Sequence, residues 1–159
     1  MRNILAIALI LIASTATGNE VDTRRILPLT EHQRDHVLTE MRALLSGTQN
    51  ILDALSEENM TVVAREARSL GVGMAHKGED HLKAVLPKEF MQMGMSVHKA
   101  FDQIAADAES MQDPKHTLRQ MSKAMQTCNA CHASYQIRLK EHSTGQETQS
   151  SHHQHQHQH

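Results

Sequence analysis

The sequence predicts an all-α protein, an antiparallel four-helix bundle, from three observations. Apolar residues recur at alternating steps of three and four in successive stretches, the period of an amphipathic helix. Short polar turns separate the stretches, with cap residues or prolines where each helix would start. No stretch alternates apolar and polar residues with a period of two, so no sheet is expected. Short connections make consecutive helices antiparallel neighbours.

Residues 1–18 read as a secretory signal peptide. Met1-Arg2-Asn3 is a short positive start, Ile4 to Ile12 is an unbroken apolar run, and Ala13 to Gly18 is small-residue cleavage territory. Cleavage after Ala16 and cleavage after Gly18 fit equally. The apolar run is shorter than the roughly 20 residues of a membrane-spanning helix. No later stretch is long and apolar enough to span, so a soluble, exported domain over residues 19–142 is expected.

Residues 19–29 are a lead-in, polar except around Val21, Ile26 and Leu27-Pro28-Leu29. Thr30 offers an N-cap, with Glu31 in the first turn. The first helix then carries Leu38, Met41, Leu45, Thr48, Leu52 and Leu55 as its main stripe, with Val37, Leu44 and Ile51 as a second stripe beside it. Gly47 sits inside this helix at a modest cost. Ser56 to Asn59 is a polar turn, with Asn59 or Ser56 as the next cap. The second helix carries Val63, Ala67 and Leu70, then meets Gly71 and Gly73, which suggest a break or bend before Leu82, Val85 and Leu86. Pro87 opens the third helix, on which Phe90, Gly94, Val97, Phe101, Ile104, Ala108 and Met111 repeat. Asp113-Pro114 is a cap followed by a helix-start proline. The fourth helix carries Leu118, Met121, Met125, Cys128, His132, Tyr135 and Leu139. Residues 143–159 are polar, low in complexity and rich in His and Gln, a composition that cannot bury apolar surface and predicts disorder.

Composition narrows the function. The formal charge is −2, one unit more acidic once Arg2 leaves with the leader, and there is no basic run. With no Trp, one Tyr and two Phe, nothing suits nucleic acid, which is bound through basic surfaces and stacked aromatics. A core of Leu, Ile, Val, Ala and Met is thin for one domain unless a large apolar cofactor fills it.

That cofactor has a signature in Cys128-Asn129-Ala130-Cys131-His132, the c-type haem attachment motif. On a helix Cys128 and Cys131 are i, i+3 neighbours, so each thiol can add to one vinyl group of the same porphyrin. His132 follows at i+4 from Cys128, where its imidazole can reach the iron. A redox CxxC would expect a βαβ pattern around it. A zinc site needs about four N or S ligands, and neither a second CxxC nor an HxxxH pair is read in the chain to supply them. Covalent haem is attached in the periplasm of bacteria, which agrees with the leader.

The string Cys128 to Tyr135 has the form CxxCHxxY. With four helices and a leader, the chain over residues 30–141 resembles a class II c-type cytochrome, the cytochrome c-prime family with its low-spin, methionine-ligated relatives. Gln136 stands where that family often has a basic residue, and Arg138 comes two later. The resemblance implies a haem inside the bundle, His132 as its proximal ligand, and the opposite iron face turned to the first helix. Setting Arg34 on an arginine common early in the family's first helix puts Leu38 over a vacant sixth site. Reading Leu38-Thr39-Glu40-Met41-Arg42 as the methionine-ligated pattern puts Met41 on the iron. The family's frequent dimers through the first two helices make a homodimer an expectation too.

Met41 is the only methionine of the first helix, and Met/His ligation raises the potential and suits electron transfer. A methionine at helical spacing is also ordinary core filler, so the Leu38 reading stays open. His98 and His36 are further sixth-ligand candidates, with His98 alternatively at a haem edge or on a propionate. His36, His76, His81 and His116 otherwise read as solvated surface residues. Met91, Met95 and His98 stand at i, i+4 and i+7, a set that suits Cu(I) or simply fills a bundle boundary. In the tail, His152, His153, His155, His157 and His159 suit Cu(II), Ni(II) or Zn(II), with affinity fading as the pH falls.

The expected function is a periplasmic monohaem c-type cytochrome that passes single electrons to a redox protein partner and is not an enzyme. One alternative is a five-coordinate haem protein that binds NO or CO. The other is a haem protein whose His-rich tail handles copper, nickel or zinc. Beyond scattered surface carboxylates there is no acid/base constellation.

Overall fold

In the computed structural model, which describes residues 21–75 and 80–141, the helices start where local chemistry caps them. Thr30 and Gln33 close a capping box, the Thr30 hydroxyl accepting from Gln33 N–H at 3.3 Å and the Gln33 amide oxygen from Thr30 N–H at 3.0 Å. This opens α1 (Glu31–Ser56). Asn59 Oδ1 accepts from Val62 N–H at 3.2 Å and opens α2 (Met60–Ser69). Two single turns follow, α3 (Val72–Ala75) and α4 (Asp80–Lys83). Pro87 precedes α5 (Lys88–Met111). Asp113 Oδ1 accepts from the N–H groups of Lys115 and His116 at 2.9 and 3.1 Å, and Pro114 takes the first position of α6 (Pro114–Ser134). The predicted leader, His76 and the His/Gln tail lie outside the described residues.

The chain is mostly helical, and two glycines set how closely the helices approach. A Cβ on Gly47 would stand 2.6 Å from Leu70 Cδ1, so Gly47 lets Leu70 settle onto α1. A Cβ on Gly71 would collide with the Asp102 carboxylate, which accepts from Val72 N–H at 3.0 Å and restarts the chain after α2. The predicted break therefore falls at Gly71. α2 packs against α1 and α5, and α5 packs against α6. Ile51, Val63, Ala67, Ile104, Ala105 and Ala108 lie fully buried between them. Among the described residues no helix is long and apolar enough to cross a membrane.

Two expectations are corrected. A two-stranded parallel sheet is present where none was expected: β1 (Arg25–Leu29) pairs with β2 (Tyr135–Leu139), from Arg25 opposite Tyr135 to Leu29 opposite Leu139. Lys140 N–H extends the ladder to Leu29 O at 2.8 Å. The last helix consequently stops at Ser134 instead of running on through Tyr135 and Leu139. Leu27 and Leu29 are buried while Arg25, Ile26 and Pro28 are exposed, so the period of two exists but spans only five residues. Tyr135 and Ile137 pack on the same small core as Leu27, Leu29, Val37, Leu82 and Leu86. In a two-stranded sheet both strands are edges, where Pro28 is tolerated.

The second correction concerns which apolar stripe is core. On α1 the buried residues are Val37, Gly47, Ile51, Ala54 and Leu55, while Leu45 and Leu52 are exposed and Leu38, Met41 and Thr48 half-buried. On α6 Thr117, Met121 and Ala124 are buried, and Leu118, Met125 and His132 are exposed. Of the predicted main stripes Leu55 and Met121 do join the core, while Leu38, Met41, Leu45, Thr48, Met125 and His132 border a gap. Each helix turns its neighbouring stripe toward α2 or α5, where packing partners exist.

Candidate functional site

No seam as extensive as those of α1–α2, α2–α5 and α5–α6 joins α1 to α6, and cavities open between them. One, of about 130 Å³ and partly open to solvent, is mostly apolar and is walled by Met41, Leu44, Leu86, Val97, Cys128 and Cys131. A second of about 470 Å³ runs past Leu38, Leu45, Thr48 and Met125. A third of about 340 Å³ reaches the sheet, where Arg24, Arg34, Arg138 and Tyr135 border it. Met41 and His132 are the two residues that line all three. Leu38 lines the outer two and is absent from the one bounded by both cysteines. Open space of this kind between helices of a bundle, apolar with a few polar groups, is the usual form of a ligand site.

The motif residues present themselves to this cleft from the last turns of α6. Cys128 and Cys131 are half-buried, free thiols one turn apart. Burial pushes the Cys128 thiol up, and burial followed by the neighbouring Cys128 pushes Cys131 up. They also sit at the helix C-terminus, the negative end of the macrodipole. A redox CxxC lowers its thiol pKa at a helix N-terminus or beside a cation, so this setting is the wrong one for a disulfide-exchange nucleophile. His132 is exposed, and its carbonyl accepts from Arg24 Nη1 at 3.3 Å. Phe90 of α5 meets Tyr135 edge-on at 5.3 Å between ring centroids and closes the sheet end of the cleft.

The other histidines are distributed differently from expectation. His98 is buried and commits both ring nitrogens, Nδ1 to Leu70 O at 2.7 Å and Nε2 to Glu40 Oε1 at 3.3 Å. Neither nitrogen is left to ligate iron, and the Met91–Met95–His98 set does not assemble. Met91, Met93 and Met95 instead border the cleft. His116 is half-buried and contacts Asp107 Oδ2 at 3.2 Å, so it is not a solvated surface residue. The His81 ring meets His32 tilted and His36 edge-on, and its Nε2 is buried without a hydrogen-bond partner. His36 lines the cleft from the same turn of α1 as Val37. The sequence reading passed over the HxxxH spacing of His32 and His36, and over Arg24, which only the strand pairing brings beside His132. The adjacent Arg24-Arg25 pair was the available signal.

Comparison with protein-family models, with curated proteins and with solved structures finds no match for this chain.

Proposed function

We propose that α1, α2, α5 and α6 form a four-helix bundle of the class II c-type cytochrome kind, and that the α1–α6 cleft holds one covalent haem c. The protein would then be an exported, periplasmic carrier of single electrons between protein partners. The observation that carries this reading is that Met41 and His132, on facing helices, alone among the described residues line all three cavities of the cleft, with the two cysteines beside them.

The residues present fit the group. Cys128 and Cys131 stand on one helix face at the spacing of two thioether links, and their neutral thiols match the species that adds across a vinyl group. His132 would be the proximal ligand and Met41 the sixth. The methionine-rich apolar wall would exclude water, and Arg24, Arg34 and Arg138, which border the sheet end of the cleft, would be available to pair with carboxylate substituents of the ring. When bound, the haem supplies a one-electron iron couple, whose potential a thioether ligand raises.

Leu38 supports the second reading, because it lines two of the cavities together with His132. Leu38 over a vacant iron face would make the protein a binder of NO or CO. Optical spectroscopy of the purified full chain separates these. The reduced protein is expected to show sharp low-spin bands, and the oxidised protein the weak far-red band of methionine–iron ligation, which Met41→Ala removes. A high-spin ferrous spectrum that shifts on adding CO would overturn Met41 and favour the Leu38 reading. A chain from exported expression that carries no pigment resistant to acidified organic extraction would overturn haem attachment itself.

A further inference from the structure

Away from Cys128, Cys131 and Met41, three imidazoles meet at the junction of α1 and α4. His32 and His36 stand one turn apart on α1, and His81 stands on α4. The His81 ring centroid lies 5.1 Å from that of His32 and 5.1 Å from that of His36, with interplanar angles of 54° and 86°. Gln33 Nε2 donates to His81 O at 3.2 Å and holds α4 against the first turn of α1. His81 Nε2 is buried and has no partner. Such an orphaned nitrogen has a cost of roughly 1–3 kcal/mol in a closed structure.

We propose that His32, His36 and His81 form a site for a borderline divalent transition ion, Zn(II), Ni(II) or Cu(II), separate from the haem motif and from the tail. Two histidines at i, i+4 are the helical arrangement that shares one ion. Imidazole nitrogens bind zinc at about 2.0–2.1 Å in a tetrahedral shell, which sets the ring centroids of two ligands about 5 Å apart. The spacings of His81 from His32 and from His36 already match. Among the described residues no three His, Cys, Asp or Glu side chains are placed to hold a metal ion as they stand. Binding would therefore require the imidazole planes to rotate about their Cβ–Cγ bonds, which moves the ring nitrogens while leaving the centroids nearly in place. Neutral imidazole suits all three ions. Asp35 borders the open recess beside His32 and His36, where its charge favours a cation. An ion here would clamp α4 to α1 and so steady Leu82 and Leu86, which wall the cleft.

Thermal unfolding of the purified full chain, followed by far-UV circular dichroism at pH 7.5 with and without excess ZnCl2, tests this. An ion that binds only the folded chain raises the melting temperature, here by about 5 °C or more at saturation. The full chain with His152, His153, His155, His157 and His159 all replaced by Gln should keep that rise. His81→Gln should lose it. His32→Gln, at an exposed position, should lose most of it and keeps the test open if His81→Gln does not fold. The same rise in wild type, His32→Gln and His81→Gln would overturn the site, as would a rise that disappears only with the tail histidines, or no rise in wild type. The readout does not depend on haem ligation, so it stands or falls apart from the Met41 spectrum.

Discussion

The His98–Glu40 contact makes stability depend on pH in a direction that can be worked out. Both ring nitrogens of His98 face acceptors, Leu70 O at 2.7 Å and Glu40 Oε1 at 3.3 Å, an arrangement that favours the doubly protonated ring, which can donate to both. Burial acts to lower its pKa, but the Glu40 and Leu70 hydrogen bonds, with the charges of Glu40 and Asp102, outweigh burial and hold it above the ordinary 6.5. The native state therefore binds this proton more tightly than the unfolded chain. Its contribution to stability is complete below about pH 6.5 and disappears as the pH rises through the raised native value. Removing one partner of a fully buried pair costs about 3–5 kcal/mol. The Glu40 side chain is 27% exposed, so water recovers part of that. Glu40→Gln, which keeps the size and removes the charge, is expected to cost about 1–3 kcal/mol at pH 6. At pH 9.5, with His98 shifted toward neutral in both chains, the difference should shrink to about 1 kcal/mol or less. Urea unfolding of both chains at the two pH values, with equal m-values as the control, measures it. An equal difference at both pH values, or a larger one at pH 9.5, would refute the reasoning.

Two further substitutions follow from the packing. Ile51→Ala, at a fully buried position of α1, should cost about 2–5 kcal/mol, while Leu45→Ala one stripe over, 69% exposed, should cost within about 0.5 kcal/mol. Denaturant unfolding that ranks them the other way would restore the Leu45 stripe as core. Leu29→Ala should lose about 2–5 kcal/mol by the same measurement, because this residue of the apparent lead-in is 1% exposed. A loss below about 0.5 kcal/mol would mean that β1 is not part of the folded core.

The features legible in the sequence are those decided within a few residues. Thr30, Asn59 and Asp113-Pro114 cap helices through bonds to atoms two or three positions on, and they start helices as read. Gly71 breaks the second helix where its neighbourhood has no room for a Cβ. The CxxCH motif is local in the same sense, and its two thiols do share one helix face. The illegible features depend on what lies across the fold. A period of three and four marks a helix but not which of two adjacent stripes meets a partner, so Leu45 and Leu52 were misread as core and Ile51 as secondary. Tyr135 and Leu139 fit both a continued helix and an alternating strand. Only the distant Arg25–Leu29 segment decides between them. The orientation of His98 follows likewise from Leu70 and Glu40, on two other segments, and no spacing on α5 could reveal it.

The strand pair also bears on the order in which the chain assembles. Arg24 and His132, which it brings into contact, are 108 residues apart. Closing a flexible loop of that length costs about 4 kcal/mol by the logarithmic dependence on length. Two five-residue strands cannot offset this before α1, α2, α5 and α6 have shortened the path between them. On these numbers the clasp is expected to close after the helices dock, so in refolding the β1 and β2 amides should gain hydrogen-exchange protection later than those of α1 and α5. Until it closes, the α6 end beside Cys131 and His132 would lack the contacts that Arg24 and β1 supply in the folded chain.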